Sequence, residues 1–199
     1  HREFVQTRIQ AAALARLASE HGYHLMVSHA LIYDGAAMFE QGESEAGLAR
    51  LLQGISDLRA SGNTMAQSHF AYLQARGYAA VGQIQVGLEI LDAAQAAVDQ
   101  NGEHWFDAEL LRLKGELLLM QGEAAEIVQD YYEKAITIAL GQQAKMWELR
   151  ATVRLSKLWQ AQGRSDGAYA RLAAIYGWFT EGFDTPDLAE AKALLDTLV

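Results

Sequence analysis

The chain has 199 residues, 51% hydrophobic and 21% charged, so it holds ample material for an apolar core and is no disordered tail. Its net charge of -9 argues against direct nucleic-acid binding, which needs a basic surface, and the lack of cysteine excludes disulfides, thiolate metal sites and a thiol nucleophile. No apolar run of ~18 residues reads as a membrane span and no signal peptide is visible, so a cytoplasmic protein is expected, and His1 in place of Met points to a fragment of something longer.

Pro186 is the only proline, and Ala, Leu, Gln, Glu and Arg outweigh β-branched residues, so long uninterrupted helices are expected throughout. A lone helix at about 2–20 comes first, with Phe4, Ile9, Ala13 and Leu17 as the apolar stripe that packs on the next hairpin. Its outer side has no partner, and dimerisation through this end is expected. Helical hairpins come next at about 24–60, 64–100, 104–140 and 144–178. Periodic apolar residues mark them, such as Val86, Ile90, Ala93, Ala94 and Ala97, and Ala108, Leu111, Gly115 and Leu118. A last helix at about 186–198 has Thr185 as N-cap and Pro186 at its first position. Leu188, Ala191, Leu194, Leu195 and Leu198 form its inner face, and Glu190, Lys192 and Asp196 its watery one, as a capping helix requires.

Glycines set the boundaries. One series is Gly42, Gly82, Gly122 and Gly163, spaced 40, 40 and 41; a second is Gly22, Gly62 and Gly102, spaced 40, with Gly141 near the next place. Glycine suits the left-handed residue that ends a helix, so each half-repeat reads as one helix closed by a glycine turn. A fixed period of this size implies stacked hairpins, because one hairpin cannot bury its own apolar face. The alternative, an irregular helical bundle, would need two glycine series to agree by chance.

The tetratricopeptide pattern is the best template, with helices longer than its usual period of about 34 residues provides. Its small residue seven before the turn glycine is here Gly35, Ala75, Gly115 and Ser156, and the large residue three further on is Met38, Tyr78, Leu118 and Trp159. The expected fold is therefore all-α, an α-α superhelix of about 40-residue tetratricopeptide-like hairpins with a C-terminal capping helix, forming one repeat domain over 1–199.

Residues 102–119 (GEHWFDAELLRLKGELLL), 144–164 (AKMWELRATVRLSKLWQAQGR) and 175–198 (IYGWFTEGFDTPDLAEAKALLDTL) carry a further likeness, with GWFTEGFDTPDL the most specific stretch. They resemble the C-terminal tetratricopeptide region of large multidomain bacterial signalling ATPases, many with an N-terminal class III adenylate or guanylate cyclase domain and others with a DNA-binding domain. The resemblance runs over essentially the whole chain, more loosely before about residue 60. It implies a sensor or interaction arm attached to a nucleotide-driven switch, with the catalytic machinery outside this chain.

The sequence holds no GxxxxGK[ST] phosphate loop, no GxGxxG, no HExxH and no GxSxG, so no catalytic residue, cofactor or metal is assigned. His21 and His24, with His1, are the only imidazoles worth weighing for a metal, and surface or capping roles suit them better without a carboxylate or thiol at ligand spacing. Trp159 and Trp178 are expected in the core; Trp105 and Trp147, at helix starts, divide between packing and ligand contact.

Aligning the hairpins on the first glycine series yields three columns on the first helices. They are His29, His69, Glu109 and Arg150; Ile32, Tyr72, Arg112 and Val153; and Ala36, Arg76, Glu116 and Lys157. By analogy with tetratricopeptide domains these face the groove. The candidate partner-binding residues are thus His69, Tyr72, Arg76, Glu109, Arg112, Glu116, Arg150 and Lys157. A mixed-charge groove can clamp acidic side chains or a C-terminal carboxylate of a protein or peptide, including another domain of the parent chain. The competing reading is mutual satisfaction, with Glu109–Arg112 and Arg112–Glu116 at helical spacing and Glu109 level with Arg150. The functional expectation is a non-catalytic interaction and regulatory scaffold. Its alternatives are a metabolite sensor, favoured by a dry pocket at Tyr72, Trp105 or Trp147, and a structural spacer or dimerisation arm, favoured by a groove closed on its own salt bridges.

Overall fold

The computed structural model describes residues 2–198, and the side chains of these except Arg2 and Asn101. Ten α-helices are found there: α1 Arg2–Glu20, α2 His24–Glu40, α3 Ser44–Ala60, α4 Gln67–Ala80, α5 Ile84–Asn101, α6 Asp107–Gln121, α7 Ala125–Gly141, α8 Lys145–Ala161, α9 Ser165–Tyr176 and α10 Pro186–Thr197. A 3-10 turn, His104–Phe106, leads into α6. The fold class is the expected one, all-α sequential hairpins. The chain divides into two units, 1–102 with α1 to α5 and 103–199 with α6 to α10.

The turns are built alike because one hydrogen bond recurs. Gly42, Gly82, Gly122 and Gly163 have φ of 94°, 79°, 84° and 75°. The residue after each glycine donates its N–H to the carbonyl five residues back, on Met38, Tyr78, Leu118 and Trp159, at 3.0, 2.9, 3.0 and 2.9 Å. This ties off carbonyls that the helix end would leave unpaired. The second glycine series departs from expectation once. Gly141 is the last residue of α7, and Gln143 takes the left-handed conformation at φ 56°. Gly182, with φ 74°, continues that series beyond the positions read from sequence.

In the N-terminal unit α2 and α3 pack almost backbone to backbone. A Cβ on Gly35 would lie 2.5 Å from the Leu51 nitrogen, and one on Gly47 would lie 2.7 Å from the Gly35 oxygen. In the C-terminal unit the small residue Gly115 makes room for the ring of fully buried Tyr132, and Ser156 donates its hydroxyl to the Ala168 carbonyl at 3.3 Å. The core there runs through Val128, Tyr132, Leu149, Leu155, Leu172 and Leu188. Trp159 lies at its edge, its indole N–H donating to Gln129 Oε1 at 2.9 Å.

Four sequence expectations need correction. Ile9 and Leu17 of α1 are 57% and 50% exposed, and Ala11 and Ala18 are the residues buried against α2. The buried stripe of α5 is Leu88, Leu91, Ala94 and Val98, whereas Ala93 and Ala97 are exposed, because helix rotation is set by the partner rather than by the densest alanine run. Trp178 is 58% exposed and stands edge-on to Phe179 past the end of α9. Thr185 does occupy the N-cap, but its hydroxyl donates to the Gly182 carbonyl at 2.6 Å instead of capping α10. No described helix is long and apolar enough to cross a membrane.

Candidate interaction surface

The eight candidate residues fall into both units, three on α4 and five on α6 and α8. In the N-terminal unit, Tyr72 is buried and stacks with His69, ring centroids 6.5 Å apart and planes 15° apart. Tyr33 of α2 lies 6.2 Å from His69. Burial lowers the His69 pKa, so its imidazole is neutral at neutral pH, and burial raises that of the Tyr33 phenol. The Arg76 guanidinium sits 5.6 Å from the Tyr72 ring centroid and 6.0 Å from that of Phe39, and pairs with Glu40.

A second charged group in this unit was missed from sequence. Asp34, mostly buried on α2, receives Arg50 of α3 at 2.6 Å and Arg8 of α1 at 3.4 Å, so one carboxylate ties three helices together.

In the C-terminal unit the remaining candidates form part of one chain of alternating charges. Arg112 Nε and Nη2 donate to Glu109 Oε1 and Oε2 at 2.8 and 2.9 Å. Arg112 Nη1 donates to Glu116 Oε1 at 2.7 Å. Arg150 Nη1 lies 3.5 Å from Glu109 Oε2, while its Nε and Nη2 donate to the two Asp187 oxygens at 2.9 and 2.7 Å. Arg154 pairs with Glu116 and donates to Glu190 Oε1 at 2.6 Å, the same oxygen that Lys157 Nζ reaches at 2.6 Å. Four carboxylates and four cations thus alternate from α6 across α8 to α10.

The electrostatics follow from this pairing. Burial opposes the charge on Arg150 and on Arg154. Asp187 and Glu109 overcome it for Arg150, as Glu116 and Glu190 do for Arg154, and both pKa values end above the ordinary one. Burial likewise opposes the charge of Glu190, but hydrogen bonds from Lys157 and Arg154 hold its pKa below the ordinary one. Glu190 therefore faces its ion pairs rather than open water, which corrects the reading of α10 as polar on its outer side at that residue. Lys192 and Asp196 pair with each other in solvent.

Arg154, Asp187 and Glu190 were absent from the candidate columns. The signal for them was present: Arg150, Arg154 and Lys157 recur at i, i+4 and i+7 on one face of α8, and Asp187 and Glu190 at i, i+3 on α10.

Beside this ladder lies an open cavity of about 370 Å³, lined by Leu119, Met120, Tyr132 and Leu158 and edged by Glu116, Arg154 and Lys157. Leu119 and Met120 are exposed large apolar residues. Burial, and next the charge of Glu116, push the Tyr132 phenol pKa far up, so that the ring stays neutral.

Trp105 and Trp147 pack on Phe106 at 4.8 and 5.5 Å between ring centroids and on each other at 6.3 Å. His21 stacks on Tyr23 at 5.9 Å, and His1 lies outside the described residues. Among the described residues no group of three or more His, Asp or Glu side chains is placed to hold a metal ion.

No protein-family model matches the chain, and no curated protein sequence does. Solved structures do. The nearly identical TPR-like repeats of a protein described as a kinesin light chain from Podosopora anserina align with TM-score 0.60 and 16% identity, over 92% of this chain and 85% of that one. A point variant of that protein aligns equally well, with TM-score 0.60 and 16% identity over the same shares of the two chains. BtubC (BKLC) from P. vanneervenii aligns with TM-score 0.72 and 15% identity, over 98% of this chain and 82% of that one. At such identities the likeness concerns architecture alone, and what it establishes is a TPR-like repeat fold of sequential helical hairpins.

Proposed function

We propose that this chain is a non-catalytic protein-interaction module, and that its C-terminal unit takes a peptide carrying a bulky apolar side chain next to a carboxylate. The observation that carries this reading is the cavity at Leu119 and Met120, an apolar floor beside the cations Arg154 and Lys157. Lys157 shares its one carboxylate partner with Arg154, so an incoming carboxylate competes for Lys157 without leaving Glu190 unpaired. Stacked repeats offer such surfaces as a matter of architecture. The resemblance of residues 102–119, 144–164 and 175–198 supports placing the module as the regulatory arm of a cytoplasmic signalling ATPase or nucleotide cyclase. A partner that favours one arrangement of the arm would bias the switch by population shift.

The test is fluorescence anisotropy with a library of labelled peptides containing adjacent acidic and large apolar residues. Binding that weakens about tenfold or more in both Lys157→Ala and Met120→Asp supports the reading. Binding indifferent to both, with folding verified by circular dichroism, removes it.

A structural-arm reading is favoured by a specific observation: Glu109, Arg112 and Arg150 are satisfied within the unit, by each other and by Glu116 and Asp187. The ladder joins α6, α8 and α10, and under this reading stiffness is its whole purpose.

A further inference from the structure

Arg154 and Lys157 of α8 meet on a single oxygen of α10: Arg154 Nη1 and Lys157 Nζ both donate to Glu190 Oε1, each at 2.6 Å. The two cations differ in what else holds them. Arg154 also pairs with Glu116, Arg150 lies between Glu109 and Asp187, and Arg112 between Glu109 and Glu116. Lys157 ends the ladder. Glu190 is its one carboxylate partner among the described residues, and its side chain is 46% exposed. A compact ammonium on a flexible stem changes partners more readily than a guanidinium bonded on both sides.

Lys157 is also where two separate parts of the unit touch the same charge. The cavity beside Leu119 and Met120 is lined from α6, α7 and α8 alone. Glu190 stands outside that lining, on α10, a helix seated by Leu188, Ala191, Leu194 and Leu195. Polar links supplement the apolar face: Arg150 to Asp187, Gln160 to Thr197, and Arg154 and Lys157 to Glu190. Loss of Lys157 from this set loosens α10 without releasing it.

We infer that Lys157 couples the cavity to α10: ligand binding loosens the helix, and the seated helix weakens the ligand. A carboxylate arriving at the cavity meets Lys157 already engaged, with Glu190, of like charge, beside it. It binds by drawing Lys157 away from α10, and Glu190 opposes it. The coupling rests on the peptide reading above. It is reciprocal by thermodynamic necessity, so an event that unseats α10 tightens binding at a cavity this helix does not line. Regulation of the site then needs no contact with the peptide.

The probe is the tightest-binding peptide of the acidic–apolar library, titrated by anisotropy against the full chain and its variants Glu190→Gln and Asp196→Asn. Asp196 pairs with Lys192 in solvent on the same helix, so its variant removes an equal charge away from Lys157. Glu190→Gln is expected to bind about fivefold or more tighter than the unaltered chain, and Asp196→Asn within about twofold of it. A second measurement needs no variant: saturating peptide should lower amide protection in α10 of the unaltered chain by about fivefold or more. An affinity unchanged or lowered in folded Glu190→Gln, an equal gain in Asp196→Asn, or α10 protection that does not fall at saturation overturns the coupling and leaves the peptide reading standing. Absence of binding to the unaltered chain and to Glu190→Gln alike overturns both.

Discussion

Arg112 and Glu109, one turn apart on α6, meet through two parallel hydrogen bonds of 2.8 and 2.9 Å with side chains only 7% and 1% exposed. An i,i+3 pair on a solvated helix face contributes a few tenths of a kcal/mol. Here the partners are out of water, so the energetic question changes. The pair as a whole adds little, but losing either partner strips the other of its two buried hydrogen bonds, leaving Arg112 with Glu116 and Glu109 with Arg150.

Truncation of Glu109 or Arg112 to Ala is therefore expected to cost about 1–3 kcal/mol each, since each remaining charge keeps a partner. The double variant should cost less than the sum by about 1 kcal/mol or more. A double-mutant cycle by urea unfolding checks this, and strict additivity would show the two groups to be independent.

Glycine substitutions separate conformational from packing requirements. Gly141 is helical, with nothing within 4 Å of its would-be Cβ, so Gly141→Ala is expected to stabilise by about 0.5–1 kcal/mol. Gly35→Ala drives a methyl into the α3 backbone and is expected to destabilise by about 3 kcal/mol. Thermal melts of the two variants should move in opposite directions.

Gln143 holds a left-handed conformation where its counterparts Gly22, Gly62, Gly102 and Gly182 carry no such strain. Gln143→Gly is expected to raise stability by about 1 kcal/mol, read as an increase in Tm. An unchanged or lower Tm would mean that the glutamine side chain contributes what the backbone loses.

Glu190 links pH to the seating of α10. Its folded-state pKa is depressed below the ordinary 4.5, so its contribution is complete above that value and is lost as pH falls through the folded one. Protonation in acid takes this carboxylate away from its partners Arg154 and Lys157. Amide protection in α10, corrected for the intrinsic pH dependence of exchange, is expected to fall as pH drops below 4.5 and to be already reduced at neutral pH in Glu190→Gln. Exchange in α10 that ignores both changes would show that the apolar face alone seats the helix.

The repeat was legible because its marks are local. A glycine whose neighbours close a helix is visible within half a dozen residues, and Gly42, Gly82, Gly122 and Gly163 all adopt the conformation their spacing implied. The small-residue column was legible for the same reason, since Gly35 and Gly115 serve contacts within one hairpin. Gln143 escaped notice because a left-handed residue need not be glycine when the surrounding turn imposes it. The charge ladder was half visible. Glu109, Arg112 and Glu116 share one helix, but Arg154 to Glu190 joins residues 36 apart through the rotation of two helices, which composition does not encode. Helical spacing places Trp178 in the core only if the helix continues that far, and a residue just past the end of α9 at Tyr176 has no partner helix to cover it.

The sharpest test of the interaction reading is amide hydrogen exchange of the full chain with and without a saturating acidic–apolar peptide from the anisotropy screen. Protection is expected to rise about tenfold or more in the C-terminal half of α6, around Glu116 to Met120, and in α8 from Arg154 to Ala161, with α1 and α2 unchanged. Protection confined to other segments, or none at saturation, would contradict it.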